Sequence, residues 1–288
     1  MSAGIQTFLT EKETGRVYVN PMKRHVRSFW VTTQPAEAVT LAAGAVSTPQ
    51  LWSIDTQGHF ELVELMSVSD GPFLVNMFDP ATQKNWMNRP VHSSTILGDA
   101  ARTYILPESY FFNVEDAPRA LVLTYTNLSP LANTIRVVGH GRRIYQRESP
   151  PDIQMAFRNY YRRKERTSVY FFTTDAAAVI PAGSVATLNF PARNTDEADL
   201  EIFKLTAAFD FPFEFRIRET STNKTLSDGF VRVEDGFGTA FFPKILPESW
   251  LIERNFQVIV EARNLAAAPL DNNIFLTFTG RRIYYAQA

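Results

Sequence analysis

Most groups in this chain that could do chemistry in a fixed arrangement sit in two short strings, and each string occurs twice. Residues 105–109 read ILPES and recur at 245–249, so Glu108 and Ser109 reappear as Glu248 and Ser249. Residues 141–145 read GRRIY and recur at 280–284, so Arg142 and Arg143 reappear as Arg281 and Arg282. A lone carboxylate can act as an acid or a base, but glycoside chemistry needs two carboxylates held opposite each other. The acids here are too dispersed to nominate such a pair. The four histidines, His25, His59, His92 and His140, are scattered through the first half of the chain, and the second half has none. A lone histidine is more often packed or solvated than a ligand, so no metal is called for. There is no cysteine, hence no thiolate site or thiol nucleophile. A glycine-rich phosphate loop, a Gly-x-Ser-x-Gly elbow and a His-Glu-x-x-His pair are also missing. The expectation is a chain without enzymatic activity and without a cofactor.

The other concentration of chemistry is basic and aromatic. Between Arg142 and Arg166 there are eight Lys/Arg against three acids, interleaved with Phe157, Tyr160 and Tyr161. Arginine and tyrosine are enriched among the residues that anchor protein interfaces, and the same mixture can stack on bases. The candidate assembly interface is therefore Arg142, Arg143, Arg158, Tyr160, Tyr161, Arg162, Arg163, Arg281 and Arg282. A solvated linker with its aromatics tucked between domains is the plain alternative. The formal charge of −1 argues against a general polyanion-binding field, so no specific nucleic-acid partner is expected.

What positions these residues is a duplication. Laying 61–109 on 201–249 without a gap matches 15 of 49 positions, among them Asp70/Asp210, Pro72/Pro212, Phe73/Phe213 and Gly98/Gly238. A period of about 140 residues is the length of a domain, so each copy can hold its own core. The organisation read is an N-terminal arm over 1–27, a first β-sandwich over 28–148, a basic aromatic linker over 149–166 and a second sandwich over 167–288.

Aromatics make up 13% of the chain, with 23 Phe, and aromatic and β-branched residues favour pleated surfaces. Short apolar runs cut by Gly, Pro, Asn and Asp every 8 to 12 residues predict strands at 28–33, 38–41, 60–68, 73–78, 103–106, 110–114, 119–126 and 134–145. Phe213, Phe215 and Ile217 alternate with Glu214, Arg216 and Arg218, which is the period of a half-buried strand. Eight short strands per copy predict an all-β chain of two tandem, duplicated, antiparallel jelly-roll-like sandwiches. The best helical spacing lies in 151–164, inside the linker. Within a strand Arg142 and Arg143 must point to opposite faces; GRRIY is expected on an edge strand, with arginine discouraging further pairing. Pro107 and Pro247 hold the preceding Leu extended, and Glu-Ser is expected to turn the chain into the next aromatic strand.

The short aromatic strands, the segment 126–135 (TNLSPLANTI) echoed at 263–274, and the terminal GRRIY strand resemble virion structural proteins of tailed bacteriophages. That resemblance implies β-sandwich modules that decorate a capsid or form collar or tail parts, other virion proteins and further copies of the chain as partners, and the virion as location. No basic-then-apolar export signal is read at the start and no apolar run is long enough to span a membrane, so no membrane partner is expected. A double jelly-roll capsid subunit is one alternative. A carbohydrate-binding module is another, with a sugar contact left open; it would need Trp30, Trp52, Trp86 and Trp250 on one exposed platform.

Overall fold

The computed structural model describes residues 26–34, 37–54, 58–112, 120–145, 167–174, 180–188, 198–220, 225–254, 257–267 and 274–284. Residues 1–25 of the arm, the helix expected over 151–164 and the linker with Arg158, Tyr160, Tyr161, Arg162 and Arg163 lie outside the described residues.

The first copy supplies ten strands: β1 (Val26–Thr32), β2 (Val39–Leu41), β3 (Gln50–Ser53), β4 (His59–Ser69), β5 (Phe73–Asp79), β6 (Lys84–Asn85), β7 (Val91–His92), β8 (Tyr104–Phe112), β9 (Ala120–Asn127) and β10 (Asn133–Ile144). One sheet runs β1-β10-β4-β8 with β2 also on β10; the other runs β3-β9-β5-β6 with β7 also on β5. The second copy supplies β11 (Thr167–Thr173), β12 (Val185–Leu188), β13 (Ala198–Ala208), β14 (Phe213–Glu219), β15 (Val231–Arg232), β16 (Lys244–Ile252), β17 (Val258–Asn264) and β18 (Phe275–Tyr284). These form β11-β18-β13-β16 and β12-β17-β14-β15. In both copies the first strand pairs with the last, and the chain alternates between two facing antiparallel sheets, which is the jelly-roll arrangement. The all-β, duplicated sandwich reading holds.

Alternation explains which residues fill each core. On β5 and β9 the inward set is Phe73, Val75, Met77 and Leu121, Leu123, Tyr125, all fully buried. On β14 and β17 it is Phe213, Phe215, Ile217 and Val258, Val260, Ala262. Phe-on-aromatic edge contacts, Phe73 on Tyr125 and Phe215 on Phe237, close the two cores. At about 25 cal/mol per Å² of apolar surface removed from water, such side chains are the main favourable term for a fold of short strands.

Three local expectations change. The runs 103–106 and 110–114 are parts of one strand, β8, so ILPES does not turn the chain. Leu62 pairs with Tyr110 and Glu64 with Ile105, which leaves Val63 alone opposite 106–109. In the second copy Phe203 stands alone opposite 246–249 in the same way. The extra residues leave the ladder as a four-against-one bulge, where a proline without an N–H is tolerated. GRRIY lies on no edge: β10 sits between β1 and β4, and β18 between β11 and β13. Strand β3, which carries Trp52, has no counterpart among the runs predicted from sequence, and β1 begins at Val26, inside the stretch assigned to the arm.

The glycine of GRRIY is demanded by this geometry. The register of β10 against β4 slips between His140 and Gly141, and a Cβ on Gly141 would lie 1.9 Å from the Glu61 carbonyl oxygen. On Gly280 it would lie 2.0 Å from that of Glu201. The neighbour is backbone, so a side chain forces the central strands apart. Gly280→Ala is expected to cost about 1–3 kcal/mol, as other overpacked sites do, read as a lower urea midpoint; an unchanged midpoint would show the bulge tolerates a methyl group.

Candidate functional site

The duplicated strings are brought together in space. Within the first copy Ser109 Oγ donates to Glu61 Oε1 at 2.5 Å, and the other oxygen of Glu61 meets the Arg142 guanidinium at 2.7 Å. Within the second, Ser249 donates to Glu201 at 2.6 Å and Arg281 Nε donates to the other Glu201 oxygen at 2.7 Å. Each ILPES serine thus fixes a β4 or β13 glutamate that in turn fixes the outward arginine of GRRIY. The bulge throws the ILPES glutamate away from its own sheet. Glu108 crosses to the second copy, where it accepts from Arg281 Nη1 at 3.1 Å. Burial works against the Arg281 charge, but the carboxylates of Glu201 and Glu108 outweigh it and raise its pKa above the usual arginine value.

This ion pair belongs to a joint between the sandwiches. The Tyr104 hydroxyl donates to Thr279 Oγ1 at 2.8 Å, and burial pushes its pKa up against the pull of that hydrogen bond. Thr277 donates to Thr95 at 3.0 Å, and the Ala240 amide donates to the Ser94 carbonyl at 3.0 Å. Lys204 Nζ donates to the Ile105 carbonyl at 2.5 Å and lies 5.0 Å from the Tyr104 ring centre; its pKa is lowered by burial. At the outer edge of β11, Phe171 exchanges backbone bonds with Trp86 and Asn88, and the Asn88 side chain brackets Thr173 through both its N–H and its carbonyl. Val169 and Phe171 are buried with the core of the first copy, so the joint is apolar as well as polar. Polar groups that leave water must be hydrogen-bonded, and Tyr104, Thr95, Thr277, Thr279 and Asn88 are; among the described residues the buried Trp86 indole N–H finds no acceptor.

The sequence-predicted residues divide accordingly. Arg281 is at the joint, and Arg142 is exposed on the equivalent face of the first copy. Arg143 and Arg282, expected at a contact surface, are instead buried within their own sandwiches, stacked over Phe29 and Tyr170 with 3.7 Å from guanidinium carbon to ring centre in both. Tyr104, Thr95, Thr277, Thr279 and Asn88 escape sequence reading because they belong to no repeated string. A signal for them exists in the comparison of copies. The outward positions of β10 are Arg136, Val138, His140 and Arg142, whereas those of β18 are Phe275, Thr277, Thr279 and Arg281. The second copy has lost charge from the face that is covered.

The tryptophans form no platform. Trp52 and Trp86 are buried in the core, Trp250 packs on Phe278, and Trp30 is exposed and stacked on His140. Of the histidines, His59 is buried, His140 binds Glu64 at 3.0 Å, His92 lies at the joint against Phe275, and His25 is outside the described residues. Among the described residues no three metal-ligating side chains converge. Arg281 is held by both Glu201 and Glu108, and their arrangement is that of a fastener.

No protein-family model matches the chain, and none of the curated proteins does. Among solved structures it is similar to a peptide-N(4)-(N-acetyl-beta-D-glucosaminyl) asparagine amidase, at 9% identity over 90% of this chain and 97% of that one, TM-score 0.37. A recombinant N-glycanase F follows at 10% identity, 91% and 96% coverage and TM-score 0.35. A 7S globulin of Momordica charantia follows at 10% identity, 93% and 85% coverage and TM-score 0.18. The expectation of a chain without enzymatic activity is corrected by this finding, since an amidase stands among the structures it resembles end to end. At such identities and TM-scores the likeness assigns no reaction to this chain.

His92 makes the joint sensitive to acid. Its Nδ1 accepts from the Ser94 amide at 3.3 Å and so caps the helical turn Ser93–Ile96, whose Ser94 and Thr95 bond to the second copy. Burial lowers its pKa from 6.5 to about 4, with Asp210 pulling the other way. The folded state therefore binds fewer protons than the unfolded one between those values. The stability from this site is complete above pH 6.5 and is lost as pH falls through that window, at up to about 1.4 kcal/mol per pH unit. His92→Asn, which keeps an acceptor, is expected to flatten the dependence of the urea midpoint between pH 6.5 and 4; an unchanged slope would assign the dependence to other groups.

Proposed function

We propose that this chain is a structural component of a bacteriophage virion, a coat, decoration, collar or tail accessory protein that works by assembling with copies of itself and with other virion proteins. The observation that carries the reading is the joint itself: both repeated strings are spent on fixing Glu108 against Arg281 across it. A motif pair retained in two copies and used to join modules is suited to assembly, where the same surface must be offered more than once.

A double jelly-roll capsid subunit is the second reading, favoured by the identical order of the eight principal strands in the two copies. The sugar-binding reading has lost its support with two of its four tryptophans inside the core. Negative-stain electron microscopy of the purified chain is expected to show closed particles of uniform size, with and without an added glycan panel. Featureless single chains that bind one glycan class on an array would reverse the assignment.

A further inference from the structure

The joint between the sandwiches uses one face of each, and the complementary faces are left bare at the two ends of the chain. On the second copy β11 and β18 are buried on both sides, the outer side being covered by β8 and by the turn Ser93–Ile96. On the first copy the same outer face, made by β1 and β10, is open: Trp30 is 54% exposed and the Arg142 side chain 57%. Conversely β8 is largely covered, while the equivalent β16 is exposed along most of its length. We propose that a second copy of this chain occupies these surfaces, the β16 edge of one copy docking on the β1–β10 face of the next through the same geometry that joins the sandwiches within a chain. This rests on the assembly reading and names its partner.

Charge complementarity carries the proposal. Transferring each pair at the joint to its equivalent places gives the contacts of the second joint. Glu108 on Arg281 becomes Glu248 on Arg142, which keeps the ion pair, and Glu248 is exposed and makes no ion pair among the described residues. Tyr104, facing Thr279 and Lys204, becomes Lys244 facing His140 and Glu64. The cation has changed sides and its new partner is an acid, as though both halves had been exchanged together. His92, which feels Asp210, becomes Arg232 facing Asp70, while Arg136, in the place of Phe275, is already held by Glu37. The edge of β1 that pairs with no strand among the described residues would be lined by 226–228, with the Asp228 carboxylate in the place of the Asn88 carbonyl that accepts the Thr173 amide. Opposite charges at an interface set register and partner choice, and an open strand edge is a liability until covered.

Corresponding loops of the two copies also meet at the joint. Arg102 lies 4.3 Å over the Phe242 ring, and these two occupy corresponding positions of the two copies. A point touches its own image under a rotation only when it lies near the axis, so the loops 98–103 and 238–243 surround one. Phe242, 63% exposed, has a free side for the next Arg102. A head-to-tail joint builds a ring when its rotation closes and an open filament when it does not.

Light scattering on the full chain reads the proposal directly. The wild type is expected at twice 32.6 kDa or a higher whole multiple. Glu248→Arg and, separately, Lys244→Glu are both on the exposed β16 edge and are each expected to raise the dissociation constant about tenfold or more. The compensating pair Arg142→Glu with Glu248→Arg is expected to recover the multimer. Circular dichroism confirms that each variant keeps its strands. If the wild type is multimeric and both single variants keep its mass and dissociation constant, this interface is overturned while the assembly reading stands; a fall in mass on deleting residues 1–25 would then assign the contact to the arm. A wild type that is monomeric at every concentration overturns both.

Discussion

The constraint on which the structure turns is that most of the β11–β18 face, over 169–173 and 275–280, is out of water on both sides. One side is the core of the second sandwich, and the other is the first sandwich, so every polar atom on the outer side must find a partner there. Thr279 accepts from Tyr104, Thr277 donates to Thr95, Thr173 is bracketed by Asn88, and the one full charge, Arg281, is matched by two carboxylates. A buried donor left without an acceptor costs about 1–3 kcal/mol, so these pairs fix how the copies sit as firmly as the apolar contacts do. Sliding either sandwich would orphan several of these groups at once.

Much of this fold is visible in the chain because its determinants are local. The alternation of Phe213, Phe215 and Ile217 with charged residues gives a strand with an inner and an outer face wherever it lies, and the match of 61–109 with 201–249 requires two similar units. Partnering is different, since β1 pairs with β10 across more than 100 residues and nothing in GRRIY says that strands will lie on both sides of it. Arginine suggested an edge because Arg142 and Arg143 were weighed together, yet they lead separate lives: one is half in water with Glu61, the other lies under Phe29. The joint was least legible of all. Threonine on a strand is ordinary at a solvated face, and only the cover provided by the first sandwich makes Thr277 and Thr279 core residues.

The LPES bulge shows how four letters serve two scales. Four residues opposed to one in the ladder would ordinarily weaken a sheet, and here the arch positions a serine inward to the neighbouring strand and a glutamate outward beyond it. Ser109 steadies Glu61, Glu61 steadies Arg142, and the same chain of contacts in the second copy steadies Arg281 before Glu108 reaches it. The outward arginine is thus preorganised by its own sandwich, so little side-chain freedom remains to be lost when the cross-joint bond forms.

Each copy pairs its first strand with its last: Val26 with Ile144, and Thr167 with Ile283. During synthesis, therefore, neither first sheet can close until its whole copy has left the ribosome, and the contacts that close it span the longest loops in the domain. Folds dominated by such distant pairing are slow and leave strand edges open meanwhile. Because no sheet borrows a strand from the other copy, the first sandwich can finish while the second is still being made. The nascent chain then exposes one unfinished jelly roll at a time, and the completed first sandwich offers β8 as a template on which β11 and β18 can settle.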